Sequence, residues 1–255
     1  MTSVNEIYKY LCGLAPLELQ MGFDNSGFQI GRLSREIKKV LLALDVTDAV
    51  VQEAVELGAE LIVSHHPLIF SAIKTVDASD AEGERLLKLA ENGIAVISMH
   101  TNLDIAAGGV NDVLIALFDA KAESTLDSEN CGRVGRLESP MELPVFLDIC
   151  KAKLNAKGLR YYDAGKNVCK IAVMGGAGAD SIEDAFKHGC DTYITSDIKY
   201  HQFLRAAELG INLIDADHFC TENPIIPVLR DKLAQAFPTV EFAVSEKHTQ
   251  IISFA

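Results

Sequence analysis

The chain has 255 residues, 49% of them hydrophobic, which suffices for one large or two modest α/β domains with an ample core. Lys and Arg number 23 against 36 Asp and Glu, a formal charge of -13 with no basic cluster to offset it; this disfavours nucleic acid but admits a small phosphorylated or nucleotide substrate. Six scattered cysteines without a C-x-x-C pair, a polar N-terminus and no run of about 18 apolar residues argue against a disulfide framework, a signal peptide and a membrane span, and predict a reduced, cytoplasmic protein.

In chain order, Val4, Ile7, Tyr8 and Leu11 mark one face of a helix over Val4–Leu14, stopped by Pro16. Asp24 to Gly31 is turn-rich and reads as a loop near a site, although turn chemistry alone accounts for its Asp, Asn and Gly. Val40 to Asp45 reads as a buried strand, followed by a helix from Thr47 or Asp48 to Leu57 that Gly58 stops. A second buried run, Ala59 to Val63, ends in Ser64-His65-His66-Pro67. Polar residues where a strand stops lie at the carboxyl edge of the sheet, where open α/β folds place their sites. After a small and acidic segment, a helix ends at Asn92-Gly93 and the strand Ile94 to Ser98 runs into Met99-His100-Thr101-Asn102-Leu103-Asp104. Periodicity lapses between Asp119 and Arg136, a weak boundary that suggests units 1–124 and 125–255, the C-terminal part of the second packing back to complete the site. Beyond it come a strand near Val134, a helix from about Glu142 to Leu154, a strand near Leu159 to Tyr162 and a strand Lys170 to Met174. Gly175-Gly176-Ala177-Gly178 follows as a tight turn, its spacing fitting neither dinucleotide nor P-loop signature.

The chain also resembles itself. Lys39-Val40-Leu41 falls on Lys170-Ile171-Ala172 and no gap is needed through Val63 on Ile194, with Gly58 on Gly189 and Glu60 on Asp191. After a shorter connection, Ala90-Glu91-Asn92-Gly93-Ile94 falls on Ala207-Glu208-Leu209-Gly210-Ile211. The prediction is two related three-layer α/β halves with mixed sheets, arisen by duplication. In the second copy the strand ending at Ile214 leads to Asp217-His218-Phe219-Cys220-Thr221-Glu222, where His218 and Glu222, four apart at a helix start, can face one point. The candidate metal ligands are therefore His65, His66, Asp104, His218 and Glu222, with His100, Asp45 and Asp217 nearby. Three imidazoles and two carboxylates suit two divalent ions, Zn, Fe, Mn, Co or Ni, without choosing among them. His201 lines the site or lies on the surface, His188 reads as a solvated helix end, and His248 has no evident partner.

At these residues the sequence resembles the Nif-three-like dinuclear metal-centre family, many of whose members carry the label GTP cyclohydrolase 1 type 2 or its homologue. The resemblance covers essentially the whole chain through Asp24 to Gly31, Ser64 to Pro67, His100 to Asp104 with Gly108-Gly109-Val110-Asn111-Asp112, Thr195 to His201 and Asp217 to Glu222. It implies metal binding by His65, His66, Asp104, His218 and Glu222, with Glu222 bridging both ions, at a site where two α/β parts meet, in a ring-shaped homohexamer. Ser26, Phe28, Ala107 and Cys220 depart from commoner family residues, and none removes a ligand. The implied reaction is hydrolytic opening of the guanine ring of GTP to formate and dihydroneopterin triphosphate, with His100 or His201 moving protons and Lys199 or Lys74 meeting phosphate. The alternative is a metal-handling or regulatory protein with little catalysis of its own.

Overall fold

The computed structural model describes residues 2–254. Two compact units form, the first from the stretch up to Ala106 with Ile226–Thr249, the second from Ala107–Ile225 with the residues from Gln250 onward.

In the first unit, α1 (Val4–Leu14) begins at a capping box: Ser3 Oγ accepts from Glu6 N while the Glu6 carboxylate accepts from Ser3 N, and Val4, Ile7 and Leu11 are buried. Residues Gly27–Ile30 form β1, where the sequence suggested only a loop. The central elements are β2 (Lys39–Ala43), α2 (Asp48–Leu57), β3 (Leu61–Ser64), α3 (Ala81–Glu91) and β4 (Ala95–Ser98), and α4 (Thr101–Ile105) follows at once. Thr47 caps α2 through its hydroxyl, and Gly58 closes it in the left-handed region at φ 63°. The sheet order is β1, β4, β3, β2, then a last strand, Glu241–Val244, delivered by the C-terminal part of the chain. Neighbours β2, β3, β4 and Glu241–Val244 are parallel, and β1 is antiparallel to β4. Buried on both faces, β3 and β4 read as unbroken apolar runs. Their core is completed by Val50, Val51 and Ala54 of α2 and Leu86 and Leu89 of α3.

The second unit opens with α5 (Val110–Leu117), β5 (Lys121–Thr125) and β6 (Arg133–Met141), so the lapse in periodicity after Asp119 is an exposed edge hairpin rather than a linker. Then come α6 (Leu143–Leu154), β7 (Arg160–Tyr162), β8 (Val168–Val173), α7 (Ile182–Lys187), β9 (Thr192–Thr195), α8 (Tyr200–Leu209), β10 (Asn212–Asp215) and α9 (His218–Glu222). The six strands run β5, β6, β8, β9, β10, β7, with β8, β9 and β10 parallel and the flanking pairs antiparallel. Phe146, Leu147 and Cys150 of α6 pack with Ile171, Val173, Ile194 and Ile214. The helix α10 (Ile225–Ala236) leads back to the strand Glu241–Val244. Among the described residues no helix is long and apolar enough to cross a membrane.

Candidate metal centre

Strand register explains why distant residues of the first unit converge. Ala43 of β2 pairs with Ser64 of β3, and Ser64 with Ser98 of β4, so the three parallel strands end level with one another. Directly beyond those ends stand Asp45, His65 with His66, and His100. Because β1 is antiparallel, its first residue, Gly27, lies beside Ser98, and the loop before it brings Asp24 to the same edge. The ligand atoms of His65, His66 and His100 fall within 4.8 Å of one another. Asp104, on α4 one turn beyond His100, brings a carboxylate oxygen to 3.6 Å from His65 Nε2.

Each ring is held by its other nitrogen. His65 Nδ1 lies 2.8 Å from the carbonyl of Met99, His66 Nδ1 2.7 Å from Asp45 Oδ1, and His100 Nδ1 2.7 Å from Asp24 Oδ1. With an acceptor on Nδ1 the proton sits there, which leaves the Nε2 lone pair for a metal. Asp24 also accepts from Thr101 N and Thr101 Oγ1 through Oδ2. Burial pushes the Asp24 carboxyl up, but hydrogen bonds from His100, Thr101 and Ser26 outweigh it and hold the group well below the usual carboxylate range. The same holds for Asp45, where bonds from His248 and His66 overcome burial.

The second unit repeats this construction at the carboxyl ends of its own parallel strands. Gly176 follows β8, Asp197 follows β9 and His218 follows β10, with Thr195 and Asp215 paired in register. Asp217 caps α9 by accepting from Cys220 N at 3.1 Å, which makes His218 the first helical residue and sets Glu222 on the same face one turn later. His218 Nδ1 lies 2.7 Å from Asp197 Oδ2 and His218 Nε2 3.1 Å from Glu222 Oε2. Burial works against the imidazolium, yet Glu222 and Asp197 together raise it to about 9. Asp197 and Asp217 both adopt positive φ, 56° and 73°, a strain that concentrates at functional sites. Glu222, 3% exposed, rests on the glycine turn: Gly176 N donates to Thr221 Oγ1, and the Gly176 carbonyl accepts from Ser196 N and the hydroxyls of Thr195 and Ser196. Asn111 Oδ1 accepts from Gly175 N, so this asparagine steadies the turn rather than facing a ligand.

Within the first unit, then, the predicted residues His65, His66, His100 and Asp104 come together, and within the second His218 and Glu222 do. His201 stands on an exposed face of α8, lining a cavity of about 330 Å³ with Asp180, Glu183 and Gln202 that does not include His218. His248, expected to be without a partner, is a correction: its Nε2 lies 2.8 Å from Asp45 Oδ2. Of the orienting carboxylates, the sequence places Asp45 near the site, whereas Asp24 and Asp197 stand within its motifs without a role. Their one common signal is an acid within two residues of a predicted strand or turn boundary, which is too frequent to single them out. Histidine and carboxylate groups in this arrangement are candidate metal-binding groups, and their imidazole nitrogens and carboxylate oxygens suit borderline divalent ions.

The chain is similar to known proteins over nearly its whole length. The family described as Duf34/NIF3 (NGG1p interacting factor 3) matches residues 2–251. A Clostridium perfringens protein named GTP cyclohydrolase 1 type 2 homolog is 37% identical over 252 residues, 96% of each chain. The Staphylococcus aureus hypothetical protein SA1388 superposes with a TM-score of 0.91 at 28% identity over 99% of each chain. A Bacillus cereus protein related to NIF3 gives 0.85 at 26% identity, covering 100% of this chain and 99% of that one. A family match over residues 2–251, with a relative 37% identical across 96% of each chain, makes this chain a member of the Duf34/NIF3 family.

Proposed function

We propose that the protein is a dinuclear metal-dependent hydrolase of the GTP cyclohydrolase 1 type 2 kind, converting GTP and water to formate and dihydroneopterin triphosphate in the cytoplasm. His65, His66, Asp104, His218 and Glu222 hold two divalent ions in this reading. The observation that carries it is the shared posture of the imidazoles: His65, His66 and His218 each commit Nδ1 to a carbonyl or carboxylate, leaving Nε2 as the donor nitrogen. Divalent ions in such a donor set supply Lewis-acid activation of water near neutral pH. The chain itself orients the ligands, through Met99, Asp45 and Asp197, and keeps His100 edge-on to His65 and His66 at ring distances of 5.2 and 5.5 Å, where it can carry a proton. No step is assigned to His201. The ring-shaped homohexamer that the family resemblance implies belongs to the same proposal, and light scattering reads its subunit number.

Choice of a purine substrate has support in two exposed aromatic rings. Phe70, 51% exposed, lies 6.2 Å edge-on from His100, and Phe23, 64% exposed, lies 6.3 Å from Phe70. Stacking of a base on an aromatic ring is worth ~1–3 kcal/mol by alanine substitution. Phe70→Ala is therefore expected to raise KM for GTP by about tenfold with little change in kcat, and an unchanged KM excludes that ring from base binding. The decisive experiment is turnover of GTP by protein reconstituted separately with Zn, Mn, Fe, Co and Ni, following formate and the fluorescent oxidised pterin. Product that needs metal and vanishes in a His65→Ala, Glu222→Ala double variant is the expected result. No product from a fully loaded protein overturns the cyclohydrolase assignment in favour of a metal-handling role.

A further inference from the structure

His248 is one of the histidines that the proposed chemistry leaves unused, yet its side chain is only 8% exposed and its position is elaborately built. The strand Glu241–Val244 runs parallel to β2, and Ser245 N continues the pairing by donating to the Leu42 carbonyl at 2.8 Å. Immediately beyond, the chain folds around Glu53, a buried acid of α2 whose carboxylate accepts from the Ser245 hydroxyl and, at 2.9 Å, from Glu246 N. Ser245 Oγ in turn accepts from His248 N at 3.1 Å. This anchored turn sets His248 Nε2 against Asp45 Oδ2 at 2.8 Å, while Asp45 Oδ1 holds His66 Nδ1 at 2.7 Å. The result is an imidazole–carboxylate–imidazole chain that ends at a candidate ligand.

A carboxylate gripped through one oxygen can still rotate, and the ring it orients rotates with it. Gripped through both, its plane is fixed, and so is the direction of the lone pair it presents to His66. We propose that His248 is a positioning residue that acts through Asp45 to fix the orientation and tautomer of His66, so that the last strand of the first unit sets divalent-metal affinity. This rests on the proposed metal centre. The turn around Glu53 explains why so much hydrogen bonding is invested in four residues after an edge strand. Partners outside the ligand set are worth ~10–100-fold in metal affinity, and His248, one bond further out, belongs at the lower end of that range.

Three variants and the wild type test it, using Zn and Co affinities from competition with a chromogenic chelator and the visible spectrum of the Co-loaded protein. His248→Phe keeps ring volume without a donor and is expected to weaken affinity by about tenfold and alter the Co spectrum. His248→Gln, whose amide N–H can reach Asp45, is expected to restore most of both. Gly189→Ala, strained at φ 71° in the second unit and away from the turn, is expected to lower the unfolding midpoint while leaving affinity near wild type. If the wild type binds Co and His248→Phe matches it in affinity and spectrum, the positioning role is overturned and the metal centre stands. If Gly189→Ala loses as much affinity as His248→Phe, the loss follows stability rather than the orientation of His66 and the inference fails. A wild type that binds neither ion overturns the centre itself and this inference with it.

Discussion

His65→Ala is expected to leave the protein with at least one fewer bound divalent ion, read by elemental analysis after dialysis against a weak chelator. Loss of a ligand should exceed the ~10–100-fold that outer partners are worth. The side chain is fully buried, with Nδ1 fixed on the Met99 carbonyl and the Asp104 carboxylate 3.6 Å from Nε2, so its loss leaves the site one imidazole short. Glu222→Gln, which keeps shape and removes charge, is the companion variant, because truncation of a buried ring could act through packing. Glutamine retains one carbonyl donor but neither the negative charge nor the bridging capacity of a carboxylate. Full occupancy in both variants would sink the ligand assignment.

The second large effect is expected at Gly176. A Cβ added there would collide with Glu222 Oε1 and stand 3.2 Å from His218 Nε2. The turn cannot retreat, since Thr195, Ser196 and Thr221 all bond to its backbone. Gly176→Ala should therefore displace both side chains and reduce metal binding by at least tenfold, in line with the ~10–100-fold cost of disturbing the partners that orient a ligand. Its backbone, at φ 66°, adds the ~1–2 kcal/mol that a side chain costs in the left-handed region. Gly189→Ala separates the two effects. Gly189 has φ 71° but open space around the added carbon, so this variant should lose comparable stability and keep its metal, as isothermal titration and thermal melts will read. Equal metal affinity in the two variants would mean that the glycine turn does not support Glu222.

Much of this arrangement could be read from the sequence because parallel strands and glycine-stopped helices write strong local patterns. Val4–Leu14, the helix from Asp48 to Leu57 with its Gly58 stop, and the runs ending at His65 and His100 all stand where apolar spacing and caps put them. What escaped was non-local. Residues 27–30 are a strand only because β4 offers them an edge, and Asp24 and Ser26 beside them carry turn residues that local chemistry already explains. Strand β5, exposed along most of its length, has no apolar alternation to announce it. The metal candidates were legible because imidazoles are scarce, whereas two of the acids that aim them, Asp24 and Asp197, are not distinguished among 36 acidic residues until strand register is known. His248 shows the same limit, since its partner lies at the far end of the sequence.

The strand Glu241–Val244 has a consequence for biosynthesis. Its pairing partner, β2, leaves the ribosome roughly 200 residues earlier. While the intervening chain is being made, β2 presents an open edge to whatever else is nearby, and Asp45 waits for the histidine that clamps it. Completion of the first unit is thus a late event, possible only when the C-terminal part has been synthesised. A ribosome stalled anywhere before Glu241 holds a nascent chain whose first sheet is unfinished, a natural substrate for a chaperone that shields strand edges.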